Sequence, residues 1–269
     1  MRCRKERHTE LMIFSGRDKN RGPVRELADI HCHILPGVDD GSRSMEQSRR
    51  MLDLAWENGI HAVIATPHFM PEGRHPSLQT LRGLTEELQE YVCRRQYDME
   101  IYMGNEIYYH QEAPELLEIG KILPLAGSRY VLVEFSPADD ARYIRNALTE
   151  LQSAGYEPVL AHVERYMCLC GKNCDRVGEL REMGALVQIN AASIEGKMGT
   201  AARRTAERLL RRQWVDFVAT DAHSDRGRSH DIGHCVRILQ RKYPAEYVER
   251  ILGGNARRLL LGKDRVTRG

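Results

Sequence analysis

No stretch of the 269-residue chain approaches the roughly 18 consecutive apolar residues that a membrane-spanning helix requires. Met1 to Arg25 is also too polar to contain the apolar core of a secretory signal. No direct membrane insertion is expected, and the location should be cytoplasmic. An excess of one charge is missing too: 40 basic residues against 38 acidic ones leave a formal net charge of +2. Nothing in that balance draws the chain towards nucleic acid, and no nucleic-acid partner is expected. No G-x-G-x-x-G follows the first strand-like segment, which removes the phosphate-binding turn of dinucleotide folds. A disulfide framework is lacking as well, because the seven cysteines are an odd number at irregular positions. Cys168, Cys170 and Cys174 match no common zinc spacing, so free thiols are expected.

What is present is enough apolar material for one large α/β domain: 42% of the residues are hydrophobic. Residues 1–25, rich in Arg and otherwise largely polar, read as a flexible N-terminal extension. Residues 26–269 then read as a single domain. Seven strand-like runs are predicted at Leu27 to His33, His61 to Thr66, Glu100 to Gly104, Tyr130 to Phe135, Glu157 to Ala161, Ala185 to Asn190 and Val215 to Thr220. Amphipathic segments separate them: Ser44 to Asn58, Ser77 to Tyr97, Ala138 to Ala154, Asp175 to Met183 and Thr200 to Arg212. Ser44 and Gln47 have the spacing of a capping box, and Met51, Leu52 and Ala55 form a core-facing stripe. Alternation of this kind implies parallel strands joined by right-handed crossovers, in a barrel or a doubly wound sheet.

The polar residues at the strand ends favour the barrel. D-I-H-C-H-I-L-P-G-V-D-D-G, from Asp29 to Gly41, closes the first strand. Side chains two apart share a face there, so His31 and His33 point together while Cys32 points away. His68 follows the second strand, Glu106 the third, Glu134 ends the fourth, His162 follows the fifth, and Asp221 and His223 follow the seventh. Only the sixth strand lacks a strong ligand, ending at Gln188 and Asn190. Five of the eleven histidines lie at strand ends, a concentration that scattering by chance does not favour. In a barrel those ends meet at one face, where catalytic groups gather. His, Asp and Glu together can bind two or three divalent ions, lower the pKa of coordinated water from 15.7 towards about 7, and take up charge on phosphate oxygens. Phosphate-ester hydrolysis is the natural use.

Six motifs in order, D-I-H-C-H-I-L-P-G-V-D-D-G, A-T-P-H-F, G-N-E-I-Y, L-A-H-V-E-R-Y, Q-I-N-A-A-S-I-E-G and T-D-A-H-S, closely resemble the PHP superfamily, and within it the bacterial capsule-type protein tyrosine phosphatases. The resemblance runs from Asp29 to about Leu261. It implies a distorted (β/α)7 barrel, the PHP fold, with three divalent ions, usually manganese, although the ligand types also suit iron and zinc. It further implies removal of phosphate from tyrosine on a bacterial tyrosine kinase of capsule or exopolysaccharide synthesis. A histidinol-phosphatase-like or other small-molecule phosphoesterase is the alternative.

Carried over by motif, one ion falls to His31, His33, Glu106 and Asp221, with Glu106 bridging. A second falls to Glu106, Glu134 and His162, and a third to Asp40, His68 and His223. Asp39 either orients the site or simply forms the turn beside Gly41. A dianionic monoester needs cations beyond the metals, and arginine offers a planar fork. The resemblance assigns that contact to Arg165 and Arg228, which with Asp221 make the expected catalytic set. Tyr108 and Tyr109 line the mouth or pack its rim. His75, His110, His230 and His234 read as ordinary loop or helix residues, and Arg203, Arg204, Arg208, Arg211 and Arg212 as a solvated helix face. The C-x5-R loop of cysteine-based tyrosine phosphatases is discounted, so no cysteine-phosphate intermediate is expected.

Overall fold

Strand-forming runs and amphipathic helices alternate as the hydrophobic pattern requires in a computed structural model of the protein, which describes residues 26–73, 75–171 and 173–262. The expected extension at 1–25 lies outside the described residues. The chain enters β1 (Leu27–Cys32), α1 (Met45–Glu57), β2 (Ile60–Ala65), β3 (His68–Phe69) and α2 (Leu78–Arg94). It continues through β4 (Glu100–Met103), β5 (Glu106–Tyr108), α3 (Ala113–Glu118), β6 (Tyr130–Glu134), α4 (Ala141–Ser153), β7 (Glu157–Leu160) and α5 (Asp175–Glu182). Next come β8 (Leu186–Asn190), α6 (Ala191–Glu195), α7 (Thr200–Arg211), β9 (Phe217–Ala219) and α8 (Gly233–Lys242). Last, α9 (Ala245–Glu249) runs through a π-turn at Arg250–Gly254 into α10 (Asn255–Leu261).

All strand pairings are parallel, in a sheet ordered β1-β2-β4 and a second ordered β3-β5-β6-β7-β8-β9. The two meet at both seams. His33 N–H donates to Ala222 O at 2.8 Å and Asp221 N–H to His31 O at 2.9 Å, joining the ends of β1 and β9. Across the other seam Gly104 N–H donates to Ala65 O at 2.9 Å and Glu106 N–H to Pro67 O at 3.2 Å. The curled parallel sheet is thus the expected distorted barrel. Beyond the second and third expected strands the ladder breaks, at Pro67, which has no N–H to donate, and at Gly104–Asn105, and resumes in two short strands, β3 and β5, that were not expected. The resumed pairing places His68 and Glu106 directly opposite each other in the β3–β5 register.

Helices cover the outer face. Ser44 caps α1 by accepting from Gln47 N–H at 3.2 Å, Gln47 reaches back to Arg43 N–H, and Met51, Leu52 and Ala55 are fully buried. A second cluster, formed by Ile30, Ile64, Leu132, Val159, Leu186 and Phe217, fills the interior beneath the mouth. Counting by twos along the strands leads from this packing to chemistry. Leu132 is followed by Glu134, Leu186 by Gln188 and Asn190, and Phe217, through Ala219, by Asp221. The same alternation that buries the interior therefore aims the polar residues at one end.

Candidate metal centre

His31 and His33 are buried, and their Nε2 atoms lie 3.4 Å apart. Glu106 Oε2 sits 3.0 Å from His31 Nε2 and 3.2 Å from His33 Nε2, and Asp221 Oδ1 lies 3.4 and 3.6 Å from the same two nitrogens. Glu106 turns its other oxygen, Oε1, to His162 Nε2 at 2.9 Å, and Glu134 Oε2 is 3.6 Å from that nitrogen. His68 faces two ways. Its Nδ1 is 3.1 Å from Glu106 Oε2 and 3.0 Å from Glu134 Oε1, while its Nε2 lies 3.4 Å from Asp40 Oδ1. His223 Nε2 is also 3.4 Å from Asp40 Oδ1. All nine residues expected to hold metal therefore converge, from a buried floor at His31 and Glu106 to a rim at Asp40, which is 66% exposed.

The donor set fits divalent cations. Three groups, His31–His33–Asp221, His68–Glu106–Glu134 and His33–Asp40–His68–His223, each bring ligand atoms within 4.8 Å of one another. His68 Nδ1 is buried and makes no hydrogen bond although two carboxylate oxygens lie beside it. A lone pair facing such oxygens calls for a cation or a proton between them. Burial pushes the His33 imidazole down, but its hydrogen bonds to Asp39 and Glu106 outweigh this and lift it to about 10. His162 is lifted to about 9, where bonds to Glu106 and Glu134 overcome burial. Glu106 is held well below the usual carboxylate range, since the surrounding histidines outweigh its burial. His223, buried and close to His33, is pushed down to about 4. The pocket thus carries dense opposite charge that ions can take over from protons.

Asp39 has an orienting geometry. Its Oδ2 lies 2.7 Å from His33 Nδ1 and accepts His68 N–H at 3.1 Å, while Oδ1 accepts Gly41 N–H at 2.9 Å. His162 and Asp221 both have left-handed backbones, with φ of 33° and 54°. For residues other than glycine that conformation is uncommon and concentrates at functional sites. Arg165, at the end of the tight turn Val163–Arg165, places Nη2 2.8 Å from Asp221 Oδ2, and Arg228 Nη2 lies 2.8 Å from Asp221 Oδ1. Both line a cleft with Asn190 and Lys197.

Tyr109 belongs to the packing, 4% exposed with its hydroxyl on Glu150; Tyr108 is half-buried. His75 stacks on Phe69 at 3.9 Å, and His230 is fully buried. Cys168, Cys170 and Cys174 form no metal-ligating group among the described residues. Spacing does not dispose of the cysteine route, because five residues separate Cys170 from Arg176 and also Cys235 from Arg241, so the C-x5-R pattern is met twice. Geometry does. Cys235 lies fully buried inside α8, its thiol pushed up by burial, and forms no loop that could cradle phosphate. Cys170 is buried, its thiol donates to Val163 O at 3.2 Å and is pushed up by the neighbouring Cys174 and by burial, and Arg176 Nη1 donates to Cys168 O at 2.6 Å. Sequence reasoning missed Gln188, Asn190 and Glu164 as members of the site, though each is buried beside it. Gln188 and Asn190 carried one signal, uncharged polar groups at interior-facing positions of a strand.

The model of the family described as capsular polysaccharide synthesis, CpsB/CapC, matches residues 27–261. The chain belongs to the CpsB/CapC family. The tyrosine-protein phosphatase CpsB of Streptococcus pneumoniae is 31% identical over 240 residues, which cover 87% of this chain and 98% of that one. Among solved structures, one described with YwqE of Bacillus subtilis and CpsB of Streptococcus pneumoniae as unique metal-dependent tyrosine phosphatases superposes with a TM-score of 0.82. Its identity is 30%, with 90% of this chain and 97% of that chain covered. The histidinol phosphate phosphatase of Lactococcus lactis, complexed with zinc, L-histidinol and phosphate, shares the fold alone, with a TM-score of 0.53 and 14% identity over 80% of this chain and 93% of that one. Family membership and the converging ligand groups agree on a metal-dependent phosphatase scaffold. No helix among the described residues is long and apolar enough to cross a membrane.

Proposed function

We propose that this family member is a metal-dependent protein-tyrosine phosphatase, with residues 26–269 as its single catalytic domain. The observation that carries the reading is the convergence of nine His, Asp and Glu side chains beside two arginines whose guanidinium groups sit 2.8 Å from Asp221. His31, His33, Glu106 and Asp221 would hold one ion, Glu106, Glu134 and His162 a second, and Asp40, His68 and His223 a third. When bound, divalent ions supply a nucleophilic hydroxide at neutral pH and neutralise charge developing on the phosphoryl oxygens. Manganese is the first candidate.

The protein's own groups do the rest. Arg165 and Arg228 turn from Asp221 to the phosphoryl oxygens and fix the monoester in the cleft. Asp221 retains its place against His31 and His33. Asp39 holds the His33 ring by Nδ1 and keeps Nε2 turned inward. Hydrolysis breaks the P–O bond to tyrosine, and the phenolic oxygen leaves readily because its conjugate acid has a pKa of only about 10. Products are the free tyrosine side chain and inorganic phosphate. The exposed position of Asp40 at the mouth suits a protein substrate, and the names of the family and its relatives favour a phosphotyrosine-bearing protein of capsular polysaccharide synthesis; the partner proposed is a bacterial tyrosine kinase, met in the cytoplasm.

Turnover of phosphotyrosine peptides, phosphoserine peptides and histidinol phosphate tests the reading. Preference for phosphotyrosine, loss of activity with a chelator and recovery with manganese are expected. Preferential turnover of histidinol phosphate, or full activity in chelator, overturns it.

A further inference from the structure

The sixth-strand segment β8 contributes no charged ligand, yet its two amides touch both the buried imidazole and the carboxylate of the deepest ligand group. Gln188 and Asn190 are 0% and 1% exposed. Gln188 Oε1 accepts the backbone N–H of His162 at 2.8 Å and lies 3.2 Å from His31 Nδ1. Gln188 Nε2 donates to Asn190 Oδ1 at 2.8 Å, and Asn190 Nδ2 donates to Asp221 Oδ2 at 2.7 Å. The orientation of this chain is not arbitrary. A backbone N–H can only donate, so the Gln188 atom facing His162 is the oxygen. The same oxygen faces His31 Nδ1, which must then carry the proton. Its Nε2 is then the nitrogen that can offer a lone pair to a cation held with Glu106 and Asp221, and without such a cation a proton occupies that place. Asn190, accepting from Gln188, must likewise present its NH2 to Asp221.

Glu164 secures the far end. Its Oε1 accepts Asn190 N–H at 3.1 Å and the Ser193 hydroxyl at 2.6 Å. Glu164 is also the neighbour of Arg165 in the Val163–Arg165 turn. We infer that Gln188 and Asn190 form a positioning relay that sets the His31 tautomer and anchors Asp221 when Arg165 and Arg228 leave it for phosphate. Neither amide touches substrate. Ligating histidines are commonly held by such a partner on the other ring nitrogen, and its loss costs roughly 10- to 100-fold in metal affinity.

The proposal rests on the reading of His31 and Asp221 as metal ligands, so its first readout avoids metal altogether. In chelator-stripped protein labelled with 15N, long-range proton–nitrogen NMR correlations should show the His31 ring protonated at Nδ1 at pH 8. Gln188→Met should lose that preference and weaken manganese binding, measured by calorimetry, about 10- to 100-fold. Gln188→Glu offers an acceptor to both N–H groups and should keep the tautomer, which provides a test even where Gln188→Met does not fold. Asn190→Ala should keep the tautomer while weakening manganese. An unchanged His31 tautomer in folded Gln188→Met, or its loss in Gln188→Glu, overturns the relay. A relay that behaves as stated in a protein that takes up no manganese overturns the metal reading instead.

Discussion

Arg165 Nη2 lies 2.8 Å from Asp221 Oδ2, so a cation proposed to meet phosphate rests on a carboxylate proposed to meet metal. Arg228 does the same on the other oxygen. The pairing holds two charges in place without leaving either unpaired in a half-closed cleft, and an incoming dianion offers the arginines a stronger partner. Substrate binding therefore exchanges one set of ion pairs for another.

Arg165→Ala should lower kcat/KM for a phosphotyrosine peptide by about 100-fold, the scale of losing one preorganised donor to a developing oxyanion. Arg165→Lys should recover only part, because a point charge cannot reproduce the planar fork. Manganese affinity should change little, since Asn190 still holds Asp221. Steady-state kinetics alongside calorimetry checks both, and a loss of activity that tracks a loss of metal would assign Arg165 to the metal site alone.

The residues that bear charge or an imidazole were legible in the chain because each follows an apolar run at a fixed offset, and that offset survives folding. His31, Glu134 and Asp221 are examples. Less was legible where the outcome depends on which strand lies beside which. Resumption of the ladder beyond Pro67 and Gly104–Asn105 aligned His68 with Glu106, a register that no local pattern specifies. Gln188 and Asn190 were passed over because uncharged amides announce no chemistry until their partners are known. The helices α3, α6, α8, α9 and α10 fell outside the expected amphipathic segments, two of them being only five residues long.

Gly41 makes a close approach that a side chain forbids. A Cβ there would lie 2.3 Å from His33 O and 2.4 Å from His33 Cβ. The carbonyl cannot retreat freely, as it accepts Ser42 N–H at 3.0 Å. Gly41→Ala should cost about 1–3 kcal/mol, as overpacking generally does. It should also weaken manganese binding by shifting Asp39 and Asp40 against His33. Gly83→Ala is the contrast: inside α2, with nothing within 4 Å of the added atom, it should stabilise by about 0.5–1 kcal/mol. Urea unfolding of the two variants should move in opposite directions.

His230 makes stability sensitive to acid. The ring is completely buried, neither nitrogen makes a hydrogen bond, and the groups facing it are Asp29, 3.5 Å away, and Cys32. Burial pushes its pKa down, more than the nearby Asp29 lifts it. Below about pH 6.5 the unfolded chain takes up a proton that the folded chain refuses, so stability falls with pH until the lowered folded-state pKa is passed. This one residue contributes at most about 1.4 kcal/mol per pH unit. His230→Leu should flatten the dependence of unfolding free energy on pH between 7 and 5, measured in metal-free protein by urea titration. Equal slopes in the two proteins would show that His230 is charged in the fold.

Cys170 provides the sharpest test between two chemistries, because Cys170–Arg176 satisfies the spacing of a cysteine-based phosphatase. That mechanism needs a thiolate cradled by backbone amides and an arginine free to meet phosphate. Here the thiol donates to Val163 O, its pKa is driven upward, and Arg176 is bound to Cys168 O. Raised pKa and burial both make a poor nucleophile. Cys170→Ser should retain kcat/KM within about threefold, whereas a nucleophilic cysteine would lose several orders of magnitude on the same change. Iodoacetamide should leave the native enzyme active, since Cys32, Cys170, Cys174 and Cys235 are buried and only Cys93 and Cys168 are partly open among the described residues. Inactivation by the alkylating agent that phosphate prevents and chelators do not affect would transfer the chemistry from the metal centre to the thiol.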